Sequence, residues 1–252
     1  MSETAVLLCG HGSREVKAIH EFEVMAATLQ RRLTHRDVAA GFLEFARPTI
    51  RDSLAALAGR GARRIVVVPA MLLGGNHVSR DLPRKIAVFG ADHLDIEVRL
   101  GRGLADDARL LTAAAARIAA AAPADRSDTL LLVVGRGTGA PQANAAINAI
   151  ARRLQEEMGF GAADAAFAGV ADPRSDAALD EVARRGHRHI VVFPYFLFGG
   201  VLVQRIYAQT AAAAARFPAV EFAKALYLRD HPAVIDALAE RAAEFAGGPE
   251  PA

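Results

Sequence analysis

The chain of 252 residues has one cysteine, no tryptophan and only 6% aromatic residues. A single thiol, Cys9, excludes an internal disulfide framework and any cysteine-rich zinc or iron–sulfur site within one chain. It ends an apolar run, where a buried structural thiol is the expected role. Neither sign of charge dominates, since 30 Lys and Arg against 28 Asp and Glu leave +2. That balance argues against a general nucleic-acid binder, although local arginine clusters can still hold an acidic small molecule. No stretch approaches the ~20 uninterrupted apolar residues of a membrane span. The start MSETAV has neither the basic region nor the apolar segment of a secretory signal. A soluble cytoplasmic protein without a membrane partner is expected. No G-x-x-x-x-G-K-[ST] phosphate loop occurs, which fits chemistry that consumes no nucleotide.

What is present is a globular balance of 52% hydrophobic and 23% charged residues, with alanine-rich runs that favour helix. The apolar run beginning at Ala5 breaks off at Gly10-His11-Gly12-Ser13-Arg14, and helical spacing follows over Glu15 to Leu33, with Ser13 as an expected cap. Val38 to Phe45 reads as a strand ending near Glu44. Pro48 suits the first turn of a helix over Thr49 to Ala58. Ile65 to Pro69 is a buried strand running on into Gly74-Gly75-Asn76-His77. A helix from about Val78 to Val88, a strand Leu94 to Leu100 and a helix Leu104 to Ala121 complete the first half. The alternation predicts an α/β fold with mostly parallel sheets flanked by helices.

The pattern then restarts. At an offset of 125 positions, LLCGHGSR (Leu7–Arg14) lies over LVVGRGTG (Leu132–Gly139), and FLEFARP (Phe42–Pro48) over FAGVADP (Phe167–Pro173). GARRIVVVPAMLLGGNHVSR (Gly61–Arg80) lies over GHRHIVVFPYFLFGGVLVQR (Gly186–Arg205) at the same offset. One offset through three separated blocks makes the chain two tandem copies of one lobe. They are expected at 1–122 and 129–246, with a linker at 123–128 and a tail at 247–252.

The copies share glycines and prolines but not chemistry. His11 corresponds to Arg136, Glu44 to Gly169 and His77 to Leu202. All three first-copy residues fall at expected strand ends, where open α/β sheets bind ligands. Each alone has an ordinary role open to it, Glu44 as a surface residue and His77 as a loop residue. As a set absent from the duplicate, two imidazoles and a carboxylate suit a divalent transition metal with open positions, and histidine can also take a proton near neutral pH. His20, His35 and His93 are expected to be solvated, and HRH at His187 to His189 a partly exposed strand edge.

GHGSR, FLEFARP and VVVPAMLLGGNHVSRDLP, each following a strand, resemble the motifs of the class II tetrapyrrole chelatases, nearest to the sirohydrochlorin chelatases of cobalt and iron type. The resemblance covers nearly the whole chain in a two-lobe, single-chain form. It implies a cleft between the lobes in which His11, Glu44 and His77 handle the metal, while the second lobe closes over the substrate. The implied activity is ATP-independent insertion of Co2+ into sirohydrochlorin, with Fe2+ insertion as the alternative. The metal is then a substrate and no permanently bound cofactor is expected. The implied partners are sirohydrochlorin and a divalent metal, with the chain a monomer or weak homodimer. The macrocycle carries many carboxylates, which arginine grips bidentately. Ser13, Arg14, Arg80, Arg136 and Arg205 are therefore expected to bind substrate, with Arg84 nearby. A carrier that binds metal or tetrapyrrole without turnover would need the same cleft but no proton removal. A histidine phosphatase would need an arginine just before the motif, where Cys9-Gly10 stands.

Overall fold

The structure, a computed structural model, describes residues 3–72, 80–105 and 107–244. The first run of elements is β1 (Thr4–Gly10), α1 (Val16–Arg32), β2 (Asp37–Phe42), α2 (Ile50–Gly59), β3 (Arg64–Pro69), α3 (Leu82–Asp92), β4 (Glu97–Leu100) and α4 (Arg109–Ala119). The second is β5 (Thr129–Gly135), α5 (Pro141–Met158), β6 (Ala162–Phe167), α6 (Ser175–Ala183), β7 (His189–Pro194), α7 (Val201–Arg216), β8 (Glu221–Lys224) and α8 (Pro232–Ala243). The strands form two four-stranded sheets in the orders β2-β1-β3-β4 and β6-β5-β7-β8, parallel throughout.

The duplication extends to register. Cys9 pairs with Gly41 and Pro69, and Val134, 125 positions on, pairs with Ala166 and Pro194. Both faces of each central strand are covered, which is why β1 and β5 are apolar without alternation. In the first sheet Leu7 and Cys9 pack with Leu54 and Leu57 of α2 and Phe89 of α3. Phe22, Met25 and Leu29 of α1 are also buried, with the Phe22 and Phe42 rings 4.8 Å apart. The second sheet has a like core around Leu132, Val134, Leu179, Val182 and Ile206. No described helix is long and apolar enough to cross a membrane.

Several boundaries depart from the sequence expectation for identifiable reasons. β2 stops at Phe42, and beyond it Leu43 N–H and Glu44 N–H still bond the Gly10 and His11 carbonyls, both at 3.0 Å. Pro48 lies before the helix rather than in its first turn. Its peptide bond with Arg47 is cis, as is that of Asp172-Pro173 in the second copy. The cap of α2 is Thr49, whose hydroxyl accepts from Asp52 N–H in a reciprocal capping box. Ser13 does not cap α1. The cap position is Glu15, whose N–H donates to Ser13 Oγ at 3.0 Å. α3 starts at Leu82, with Pro83 seated in its first turn. α4 starts only at Arg109, where Asp107 Oδ1 accepts the Arg109 N–H at 3.0 Å. His93 stacks on Phe89 with centroids 4.0 Å apart, so it is not simply solvated.

The compact units are not the sequence repeats. One gathers the chain up to Leu110 and again from Arg229; the other is Leu111–Leu228. The repeats at 1–122 and 129–246 have thus traded their last helices. α8 packs beside α1 and against β3 in the first unit. Its Arg241, only 5% exposed, reaches Asp107 at 3.2 Å and Glu244 at 2.5 Å and donates to the Gly103 carbonyl at 3.2 Å. Arg109 also pairs with Asp107, at 2.9 Å, and with Glu240. From Leu111 onward α4 belongs to the second unit, where Arg117 donates to the Leu228 carbonyl at 3.1 Å. Segment 123–128 also lies in that unit, with Arg126 over the Phe160 ring and its carbonyl accepting from Gly161 N–H at 2.9 Å. The tail at 247–252 lies outside the described residues.

Removing one member of a buried ion pair leaves the other charge uncompensated. Arg241→Ala should lower the stability of the first unit by about 3 kcal/mol, read by urea unfolding, the low end of such losses because Asp107 keeps Arg109 as a second partner. A change within experimental error would show that α8 is not held by this network.

Candidate functional site

The site is built from the segments that follow β1 and β2. The order β2-β1-β3-β4 places the reversal of strand order between β1 and β3, so the ligand crevice of such a parallel sheet opens at their carboxyl ends. His11 follows β1 directly. His77 follows β3 in sequence but lies outside the described residues, as do all of 73–79.

His11 and Glu44 are brought together through the backbone. The Gly10 and His11 carbonyls accept from Leu43 and Glu44 N–H, and Ala46 N–H returns to the Glu44 carbonyl at 2.8 Å. Gly12 makes this junction possible. Its φ is +95°, and a Cβ there would lie 1.8 Å from the Glu44 carbonyl oxygen. Glycine alone fits that backbone and that approach. His11 is half-buried, with Nδ1 3.3 Å from the Gly12 carbonyl oxygen, and Glu44 is exposed. An imidazole and a carboxylate thus stand on bonded neighbouring turns. Among the described residues no group of three or more His, Cys, Asp or Glu is placed to hold a metal. Two of the three expected residues are among those described.

Cys9, one residue inside β1 from its end, takes no part. It is wholly buried, and desolvation raises its thiol to about 12 against a smaller opposing pull from Lys85. It is inert packing.

The remaining expected residues divide between the two units. Arg14 is exposed, its guanidinium carbon 5.1 Å from the centre of the Phe45 ring. Ser13 Oγ is engaged by Glu15 N–H. Arg80 is exposed just before α3, and Arg84 is exposed within it. In the second unit Arg136 is exposed directly after β5, in the place of His11. Arg205, on α7, donates to the Ala168 carbonyl at 3.3 Å, so its guanidinium partly braces the β6 turn.

The second copy has lost more than side chains. At Gly169, the counterpart of Glu44, a Cβ would lie 2.4 Å from the Arg136 carbonyl oxygen and 2.9 Å from that of Gly137. The turn has closed on the space a carboxylate would need. Sequence comparison shows the loss of Glu44, whereas only the backbone shows that nothing can replace it.

Phe45, inside FLEFARP, was missed by sequence reasoning. Its φ is +63° and it is 55% exposed. Its ring lies 5.9 Å from the His11 ring at an interplanar angle of 29°. A bulky residue in the left-handed region costs about 1–3 kcal/mol. The only prior signal was an exposed aromatic beside the motif glutamate.

Two tandem parallel-sheet lobes, with imidazole and carboxylate at the strand ends of one copy alone, define a chelatase-like α/β protein. A model of the CbiX family matches residues 5–121 and again 130–245. The chain belongs to the CbiX family, in a two-lobe, single-chain form. It is 29% identical over 245 residues to the sirohydrochlorin cobaltochelatase of Priestia megaterium, covering 95% of this chain and 79% of that protein. It is 28% identical over 250 residues to the sirohydrochlorin ferrochelatase of Bacillus subtilis strain 168, covering 98% and 93%. The solved structure of SirB from Bacillus subtilis with Fe3+ superposes with a TM-score of 0.85 at 26% identity, covering 97% of this chain and 96% of that one. The resemblance carried by the three motifs therefore holds.

If the second turn is closed to a carboxylate, rebuilding its chemistry fails. Arg136→His, alone or with Gly169→Glu, should bind no more Co2+ per chain than the unsubstituted protein in a calorimetric titration. The double variant should also melt lower. A second equivalent of bound metal would contradict the steric argument.

Proposed function

We propose that the chain is a sirohydrochlorin cobaltochelatase, inserting Co2+ into the free macrocycle with release of two protons and without nucleotide hydrolysis. The observation that carries this reading is the bonded pair of turns bearing His11 and Glu44, set against Arg136 and Gly169 in the duplicate. Metal insertion needs a group to hold the ion, groups to accept pyrrole protons, and a surface that orients the ring. Neutral imidazole serves the first two, and the exposed Glu44 carboxylate can ligate, accept a proton or orient a histidine. His77 is assigned as the second imidazole from its motif. Arg14, Arg80, Arg136 and Arg205 are assigned to peripheral carboxylates of the substrate, with Ser13 beside them. Arg136 in place of a histidine repels a metal ion and attracts a carboxylate.

Iron is the alternative metal. Relatives of nearly equal identity carry cobalt and iron names, and imidazole and carboxylate ligands do not separate the two ions.

The test is anaerobic incubation of catalytic amounts of the protein with excess sirohydrochlorin and Co2+, Fe2+ or Ni2+ in parallel, followed by absorbance. Many turnovers per chain are expected, fastest with Co2+. His11→Ala and His77→Ala should each slow insertion by about 10²-fold or more. Uptake that stops at one equivalent would make the protein a carrier, and full activity in both variants would mean that the site is misplaced.

A further inference from the structure

Phe45 stands in a conformation that its residue type does not explain. Its φ of +63° disfavours any side chain, and an aromatic one strongly. Burial does not compensate, since more than half of the residue faces solvent. Among the described residues only Arg229 is another non-glycine with positive φ. The tight turn closed by Ala46 N–H on the Glu44 carbonyl imposes this backbone. Yet it carries an exposed aromatic where glycine would sit without strain, and strained residues of this kind cluster at ligand sites.

The surroundings say what such a ligand is. The phenyl ring lies 5.9 Å from the His11 imidazole and tilted from it by 29°, and the Arg14 guanidinium carbon lies 5.1 Å from its centre. A flat apolar face thus stands beside a candidate metal-handling group and a cation. A ligand that matches all three has a conjugated planar body, a metal-accepting centre and acidic groups at its edge. The duplicate supplies a control. Position 170, which corresponds to Phe45, is Val170, exposed at 77% but without a left-handed backbone and without a ring. An exposed apolar residue is common to both turns, whereas the strained aromatic accompanies the histidine.

We propose that Phe45 is a substrate-positioning residue whose ring stacks on the face of the tetrapyrrole beside His11, while Arg14, held over the same ring, takes a carboxylate at the macrocycle edge. The inference rests on the chelatase reading and adds to it the residue that sets the ring's placement. Offset stacking of conjugated faces is favourable beyond area burial alone, and a cation above the ring adds to it. Phe45 thereby orients the macrocycle, and metal handling is left to its neighbours.

The experiment measures three quantities for Phe45→Ala, Phe45→Gly and Phe45→Tyr. They are steady-state insertion with sirohydrochlorin varied, Co2+ binding without tetrapyrrole, and thermal midpoint. Phe45→Ala and Phe45→Gly should raise KM for sirohydrochlorin about tenfold while Co2+ binding stays as in the unsubstituted protein. Phe45→Gly should melt higher, since glycine accepts the left-handed backbone. Phe45→Tyr should restore KM. The proposal is overturned if KM is unchanged in Phe45→Ala, or if Co2+ binding falls with it and Tyr fails to rescue. If the unsubstituted protein neither turns over nor binds sirohydrochlorin, the chelatase reading fails and this one with it. An active parent with indifferent Phe45 variants overturns this inference alone.

Discussion

Two backbone hydrogen bonds, from Leu43 and Glu44 N–H to the Gly10 and His11 carbonyls, hold together the turns that carry His11 and Glu44. They carry the contact of β2 with β1 past Phe42 and set an imidazole-bearing turn against a carboxylate-bearing one. The approach is so close that position 12 can carry no side chain. The glycines of the first motif therefore provide room for a junction between loops, and are more than breaks after a strand. The strain at Phe45 follows from the same junction, because the chain must reverse immediately after Glu44.

The duplicated lobe shows what that scaffold becomes when its chemistry is removed. Strand order and register are reproduced at the same offset, yet the counterpart of Glu44 is a glycine wedged against the Arg136 and Gly137 carbonyls. The first turn is crowded at Gly12 and leaves Glu44 in the open, whereas the second is crowded both at Gly137 and at the position of the glutamate itself. An exposed guanidinium takes the place of the imidazole. One backbone plan thus carries an imidazole and a carboxylate in one lobe and a guanidinium in the other.

Much of this was legible in the sequence, because glycine and proline mark backbone geometry and a repeat lets the chain serve as its own comparison. The parallel sheets, the equivalence of the strand ends and the pairing of His11 with Glu44 all follow from apolar runs and a constant offset. The exchange of α4 and α8 was not legible. Two lobes of the same plan present similar apolar faces, so periodicity cannot say on which copy a terminal helix packs. The ion pairs formed there, Arg241 with Asp107 and Arg109 with Glu240, join residues far apart in the chain. Phe45 was equally hidden, since nothing in residue type announces a left-handed aromatic. Ser13 was misread as a cap because the turn carries the chain two residues further before α1 begins.

The central claim is that the duplicated scaffold handles metal in one lobe only. Anomalous scattering at the cobalt edge from crystals grown with Co2+ tests it directly. The account predicts a peak about 2 Å from a His11 ring nitrogen, within reach of the Glu44 carboxylate, and none beside Arg136. A peak at Arg136, or one bound to neither His11 nor Glu44, would contradict it.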